Sequence, residues 1–156
     1  MLISRKAAIS LISWTPVNGV VMFARFHGHH TEVTVVVCYA PTNGAEELVK
    51  ERFYDTRNSV SKHIQRHDMV KFHGDFDTKA GNGISYCPEV LGPCGIGDRN
   101  ENGALLIDFA SINVHLTCGT EFRHKNIHKY TWTSPDGKTR NQIDHFLIND
   151  DQLSKA

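Results

Sequence analysis

The sequence predicts an α/β fold with a largely antiparallel sheet, and three observations point to it. Short β-branched runs are separated by turn residues, two segments carry apolar residues at helical spacing, and strand and helix segments alternate without an internal repeat. At 156 residues, with 40% hydrophobic and 22% charged residues, the chain is long enough to bury a core and outside the compositions of disordered or fibrous proteins. One domain is expected over residues 1–156.

The elements follow in order. Val20 to Phe26 and Glu32 to Tyr39 are apolar and β-branched around the polar Gly28-His29-His30-Thr31, which predicts a hairpin. The second run is almost continuously apolar from Val33 to Cys38, as in a central strand covered on both faces. Asn43, with Glu46 three residues on, has the spacing of a capping box. A helix is expected from there to about Gln65, with Leu48, Phe53, Val60 and Ile64 inward. Met69 to His73 predicts a short strand, and Ala80 to Asn100 a long Gly/Asn-rich loop. Gly103 to Ile112 predicts a helix burying Leu105, Leu106, Phe109 and Ile112, followed by a strand over His115 to Cys118. Strands over Tyr130 to Thr133 and Gln142 to Ile148 are joined by Ser134-Pro135-Asp136-Gly137, where Pro and Gly suit a tight turn.

Charge and cysteine content exclude several classes. Seventeen basic and 17 acidic residues cancel, unlike the basic balance of a dedicated nucleic-acid binder. Between Glu121 and Arg140, however, Arg123, Lys125, Lys129, Lys138 and Arg140 face two acids, which fits either a solvated hairpin face or a phosphate-contacting patch. Cys38, Cys87, Cys94 and Cys118 lack zinc spacing, and the first and last of the four read as core thiols. No structural disulfide is expected, and the reading is of a reducing compartment. The start of the chain lacks the small-residue cleavage site of a signal peptide, and no segment approaches the ~20 apolar residues of a membrane span.

Four boxes lie at or beyond the ends of these apolar runs: Tyr39-Ala40-Pro41-Thr42, Gly74-Asp75-Phe76-Asp77, Tyr130-Thr131-Trp132 and Asn141-Gln142-Ile143-Asp144. Three of them bring acids or hydroxyls to the rim of a sheet, where phosphate chemistry could occur. On local sequence alone, Tyr39 reads equally as an aromatic packing at the core edge, Asp75 as a turn-forming strand-end Asp, and Asp144 as a buried Asp held by backbone amides. The groups His27, His29, His30 and His124, His128 read as exposed polar residues and not as metal ligands. No phosphate-binding P-loop and no dinucleotide motif follows a strand.

In their order the boxes resemble the endonuclease/exonuclease/phosphatase superfamily, over about Ile9 to Asn149. The resemblance is strongest to the endonuclease region of RTE-type non-LTR retrotransposons. It implies a two-sheet sandwich flanked by helices, Mg²⁺ as the cofactor and DNA as the partner. It further implies fusion to a reverse transcriptase in the parent element, nuclear action and no membrane association. Mapped onto this chain, it gives Asp75 the attacking water, Tyr39 the phosphate, and Asp144 a catalytic histidine to orient. Thr131 would hold the carboxylates, and Trp132 would be core with one edge near the cleft. Asp77 stands where the family has an Asn that donates to a phosphate oxygen; a carboxylate there repels the phosphate or recruits a cation. The family's metal-ligating Glu belongs to a strand before Met1 and its histidine beyond Ala156, so no metal ligand is assigned here. The fold is accordingly expected to be incomplete, with poor solubility and weak or no hydrolysis. A non-catalytic nucleic-acid-binding remnant and a phosphatase-like branch of the superfamily are the alternatives.

Overall fold

A computed structural model describes residues 1–82 and 86–149. The main sheet is mixed and six-stranded, in the order β1-β2-β3-β4-β8-β5. Its strands are β1 (Leu11–Pro16), β2 (Val21–Phe26), β3 (Val33–Tyr39), β4 (Met69–Asp75), β5 (His115–Thr117) and β8 (Asp144–Asn149). Only the β3–β4 pair among them is parallel, as expected of strands connected by a helix. β6 (Trp132–Thr133) and β7 (Arg140–Asn141) form a separate two-stranded ribbon. The α/β class with two sheets and flanking helices thus stands.

Two helices cover one face of the main sheet. α2 (Glu47–His63) contributes Phe53 and Val60, and α3 (Glu101–Ile112) contributes Leu106, Ile107, Phe109 and Ala110. They share one apolar cluster with Val21, Val36, Cys38, Phe72 and Leu147, which alternate along the strands and so point to the same side. The other face carries Met22, Val35, Val37 and Phe146, half-buried, with the exposed His73 on the central strand β4. β3 therefore alternates between a buried and a partly open face, against the expectation of cover on both. None of the described helices is long and apolar enough to cross a membrane.

Several sequence expectations need correction. β1 was not foreseen; it pairs antiparallel with β2, behind the short helix α1 (Arg5–Ile9). Its residues are mostly exposed, Trp14 among them at 60%, so it lacks the half-buried alternation that identifies a strand. The Ser134–Gly137 turn does form, with Gly137 at φ 72° and its N–H on the Ser134 carbonyl at 2.8 Å, but it links β6 to β7. Leu48 and Ile112 are exposed at helix ends, whereas Lys50 and Arg57 are buried within α2. Cys38 is buried and Cys118 half-buried, and all four cysteines are free thiols.

Candidate active site at the sheet rim

Three strands place three of the six candidate residues in one row. Tyr39 ends β3, Asp75 ends β4 and Asp144 begins β8; the register pairs Tyr39 with Asp75 and Asp75 with Asp144. Paired residues project to the same face, here the open one. Gly74 makes this possible. A Cβ at its position would stand 1.8 Å from the Cys38 carbonyl oxygen, and its φ of 157° is one that side chains rarely adopt. A residue with a side chain would separate β3 from β4 just where Asp75 must be set.

Asp75 is both a turn-former and a candidate base. Its Oδ1 accepts the Asp77 N–H at 2.9 Å, closing a turn typical of Asp. Its Oδ2 takes no hydrogen bond among the described residues. Burial pushes the Asp75 carboxyl above the usual carboxylate range; the Asp77 N–H opposes this, and the negative charges of Asp144 and Asp77 add to it.

Asp77 adopts φ 44°, a left-handed conformation that Asp and Asn tolerate better than most residues. Its Oδ2 accepts the Asn43 N–H at 2.6 Å. The carboxylate is thereby committed to the turn after β3. Its carbonyl receives the side-chain amides of Asn100 and Asn102 at 3.3 and 3.4 Å.

The segment from Asn100 to Gly103 therefore clamps the rim, a role the sequence did not reveal. Asn100 caps α3 by accepting the Gly103 N–H at 2.8 Å, and the same oxygen receives the Lys79 N–H at 2.9 Å. Asn102 donates to the Pro41 carbonyl at 3.0 Å, and its own N–H is taken by Asn43 Oδ1 at 3.1 Å. Asn43 is thus not the cap of α2, whose N-cap is Glu46, with no side-chain cap bond. It satisfies a free N–H of α3 instead. The signal available in sequence was the Asn-rich string itself, whose partners are distant in the chain.

Thr131 reaches Asp144 through the backbone. Its hydroxyl accepts the N–H groups of Ile143 and Asp144 at 3.0 and 3.1 Å, so it fixes the entry to β8 and not a carboxylate. Trp132 is 40% exposed on the ribbon, opposite Asn141, and is not core. Two cavities lie near the rim. Beside Tyr39, itself 61% exposed, an apolar one of about 430 Å³ is walled by Val20, Pro41, Val49 and Phe53. At Gln142, two residues before Asp144, a polar one is walled by the ribbon and the Gly95–Asp98 segment.

The residues fit a hard, partly hydrated divalent cation such as Mg²⁺. Asp75 and Asp144 offer carboxylate oxygens side by side, and Asp144 already raises the proton affinity of Asp75, a repulsion that a cation would relieve. Mg²⁺ is commonly held by one or two carboxylates plus water and phosphate oxygens. Among the described residues, no group of three or more His, Cys, Asp or Glu could complete an all-protein site.

Comparison with known proteins bears on the fold. No family model matches the chain. Craniofacial development protein 2 of Tragulus javanicus is 32% identical over 147 residues, covering 94% of this chain and 25% of that protein. The endonuclease domain of TRAS1, a telomere-specific non-LTR retrotransposon, superposes with a TM-score of 0.57 at 12% identity, over 86% of this chain and 52% of that one. The Neisseria 3′ phosphatase NExo, bound to a product DNA hairpin, gives 0.61 at 15% identity, over 92% and 60%. The chain has the endonuclease/exonuclease/phosphatase fold, and the resemblance drawn from its four boxes holds. It spans about a quarter of the length of the curated relative it matches.

Proposed function

We propose that the chain is a Mg²⁺-dependent, retroelement-type DNA endonuclease domain, slow in this form. The observation that carries the reading is the row of Tyr39, Asp75 and Asp144 across three adjacent strands. In support, a solved structure of the same fold is a retrotransposon endonuclease and another holds a DNA product.

Each residue has a part that its position permits. Asp75, with one oxygen in the turn and its proton affinity raised, orients the attacking water and takes its proton. The Tyr39 hydroxyl, exposed beside it, donates to a phosphate oxygen. Asp144, fixed by Thr131, supplies the second carboxylate. Asp75 and Asp144 would hold the cation, which would supply charge neutralisation at the phosphate and a more acidic bound water. Asp77 is the reason for slowness. It replaces an amide donor with an acceptor, and losing one such donor costs roughly 10²–10³ in rate.

The test is nicking of supercoiled plasmid with Mg²⁺ or EDTA. Slow nicking that requires Mg²⁺ and is lost in Asp75→Ala supports the reading. Asp77→Asn should accelerate it, because an Asn can still accept the Asn43 N–H and turn its amide to the substrate. Absence of Mg²⁺-dependent nicking in both the wild type and Asp77→Asn, with both folded, would overturn it.

A further inference from the structure

We propose that the open face of the main sheet is a self-association surface, on which a second copy of this chain seats its own open face. A sheet face needs no cover when it is polar, and this one is not. Met22, Val37 and Phe146 stand half-buried in one row with His73, and Val35 stands in the next row with Lys71. Trp14 extends that second row through Ala24 to the edge strand, and 60% of it is exposed. Contiguous apolar surface of this kind marks an interaction site.

The charges on the face select the partner. Lys71, His73 and Asp75 occupy alternate positions of β4, so all three project to the open side, with Lys71 and Asp75 equally far from His73. Among the described residues, Lys71 has no carboxylate within ion-pair distance and Oδ2 of Asp75 has no donor. A two-fold axis between two such faces, running along the row of His73, sets β4 on β4 in opposite directions. Each Lys71 then lies over the partner's Asp75, with the partner's Asp144 one strand away. Packed sheets stand about 10 Å apart, a gap that a lysine and an aspartate side chain close between them. One operation thus matches both charges twice, as an isologous contact requires. A partner of one sign would leave either Lys71 or the acidic row unmatched, so a second copy is the occupant that suits the face.

The size of the face sets the strength. β1, β2, β3, β4 and β8 contribute six or seven residues each. At roughly 4.8 Å between strands and 3.3 Å per residue, they cover about 500 Å² per copy, or about 1,000 Å² in the pair. That is the lower limit for a specific interface, so the dimer is reversible, with a dissociation constant on the order of micromolar. The pairing needs no catalytic reading of the rim. Where that reading holds, the dimer also closes the acidic row, because the partner's Lys71 stands at the carboxylates in place of cation and substrate.

The test is sedimentation velocity over about 1–200 µM protein in EDTA, a range that spans micromolar constants. The wild type should pass from monomer to dimer and stop there. Lys71→Glu sets like charges opposite one another and should raise the dissociation constant at least roughly tenfold. Adding Asp75→Asn to it removes the repulsion at that pair and should recover most of the loss. In Trp132→Phe, Trp14 is the one remaining tryptophan, and its emission should shift to the blue as the dimer forms. Circular dichroism checks that each variant is folded. A protein monomeric throughout, growth past the dimer, or a dimer indifferent to the folded Lys71→Glu would each overturn the proposal. So would a dimer whose Trp14 emission stays constant, since the contact would then lie elsewhere. None of these outcomes bears on plasmid nicking, which tests the rim by itself.

Discussion

The hydroxyl of Thr131, on the small ribbon, accepts the backbone N–H of Asp144, on the main sheet, at 3.1 Å, and that of Ile143 at 3.0 Å. One side chain thus ties the ribbon to the strand that carries a candidate catalytic carboxylate. Thr131→Val keeps the shape and removes the acceptor, at a cost of about 0.5–1.5 kcal/mol because the site is open to water. The sharper expectation is local: the amides of Ile143 and Asp144 should lose hydrogen-exchange protection, while Leu147, farther along β8, keeps its own. Thr131→Ser should behave as wild type.

Burial raises the proton affinity of Asp75 in the folded protein, and the negative charge of Asp144 adds to it. A carboxyl whose folded pKa is raised favours the native state most when protonated, below its unfolded pKa. That advantage is lost as pH rises through the folded value. Asp75→Asn should therefore raise the Tm at pH 7 and leave it unchanged near pH 3, since an Asn oxygen can still accept the Asp77 N–H. Mg²⁺ should raise the Tm of the wild type and not of the variant. A thermal scan at both pH values, with and without Mg²⁺, reads both effects.

The boxes and most strands were legible because each is a local pattern. A short strand-like run ending in Gly-Asp is visible in a dozen residues, and the register then carried Tyr39, Asp75 and Asp144 together without further information. What the sequence hid depends on partners distant along the chain. Asn43 has the spacing of a cap for the helix that follows it, yet it serves α3, 59 residues later. Lys129 sits in a run of charges, yet it is drawn inside by the carbonyl of Cys94. Trp132 has the composition of a core residue, but a two-stranded ribbon has too little surface to cover it. β1 is an exposed edge strand, specified by its pairing with β2 and by no burial pattern of its own.

Arg57 was equally hidden, since a basic residue in the middle of an amphipathic helix reads as solvent-facing. It is fully buried, none of its three guanidinium nitrogens has a well-formed hydrogen bond among the described residues, and burial pulls its proton affinity down, with the neighbouring Cys38 and Tyr54 opposing this. A guanidinium remains charged even so. Its compensation is aromatic: it lies 3.7 Å from the Phe109 ring centroid, with Phe76, Phe72, Tyr54 and Phe53 at 4.7–5.5 Å. Contacts of this kind are worth about 2 kcal/mol when desolvated, below the several kcal/mol of burying an ion. Arg57→Met fills similar volume without the charge and should stabilise the fold by about 1–4 kcal/mol in urea denaturation. Arg57→Ala should destabilise it through the cavity left behind.

Acid should unfold the protein well above the carboxylate range, because two histidines are buried in the neutral form. His115 donates Nδ1–H to the Asn113 carbonyl at 2.7 Å, and His145 donates Nε2–H to that of Thr78 at 2.9 Å; the second nitrogen of each is buried without a partner among the described residues. Burial lowers the proton affinity of both, bringing His115 from 6.5 to about 4, and the nearby Arg57 charge contributes at His115. A lowered folded pKa means that the unfolded chain takes up the proton first. Stability is then complete above pH 6.5 and falls as the pH drops toward 4. For His115 the loss approaches 3 kcal/mol, at about 1.4 kcal/mol per unit. Its ring packs edge-on against Phe72 at 5.3 Å and tilted against Phe109 at 6.1 Å, so His115→Phe suits the same site. Urea midpoints measured from pH 7 to 4 should decline steeply for the wild type and less so for His115→Phe. Parallel declines would mean that the proton is taken up elsewhere.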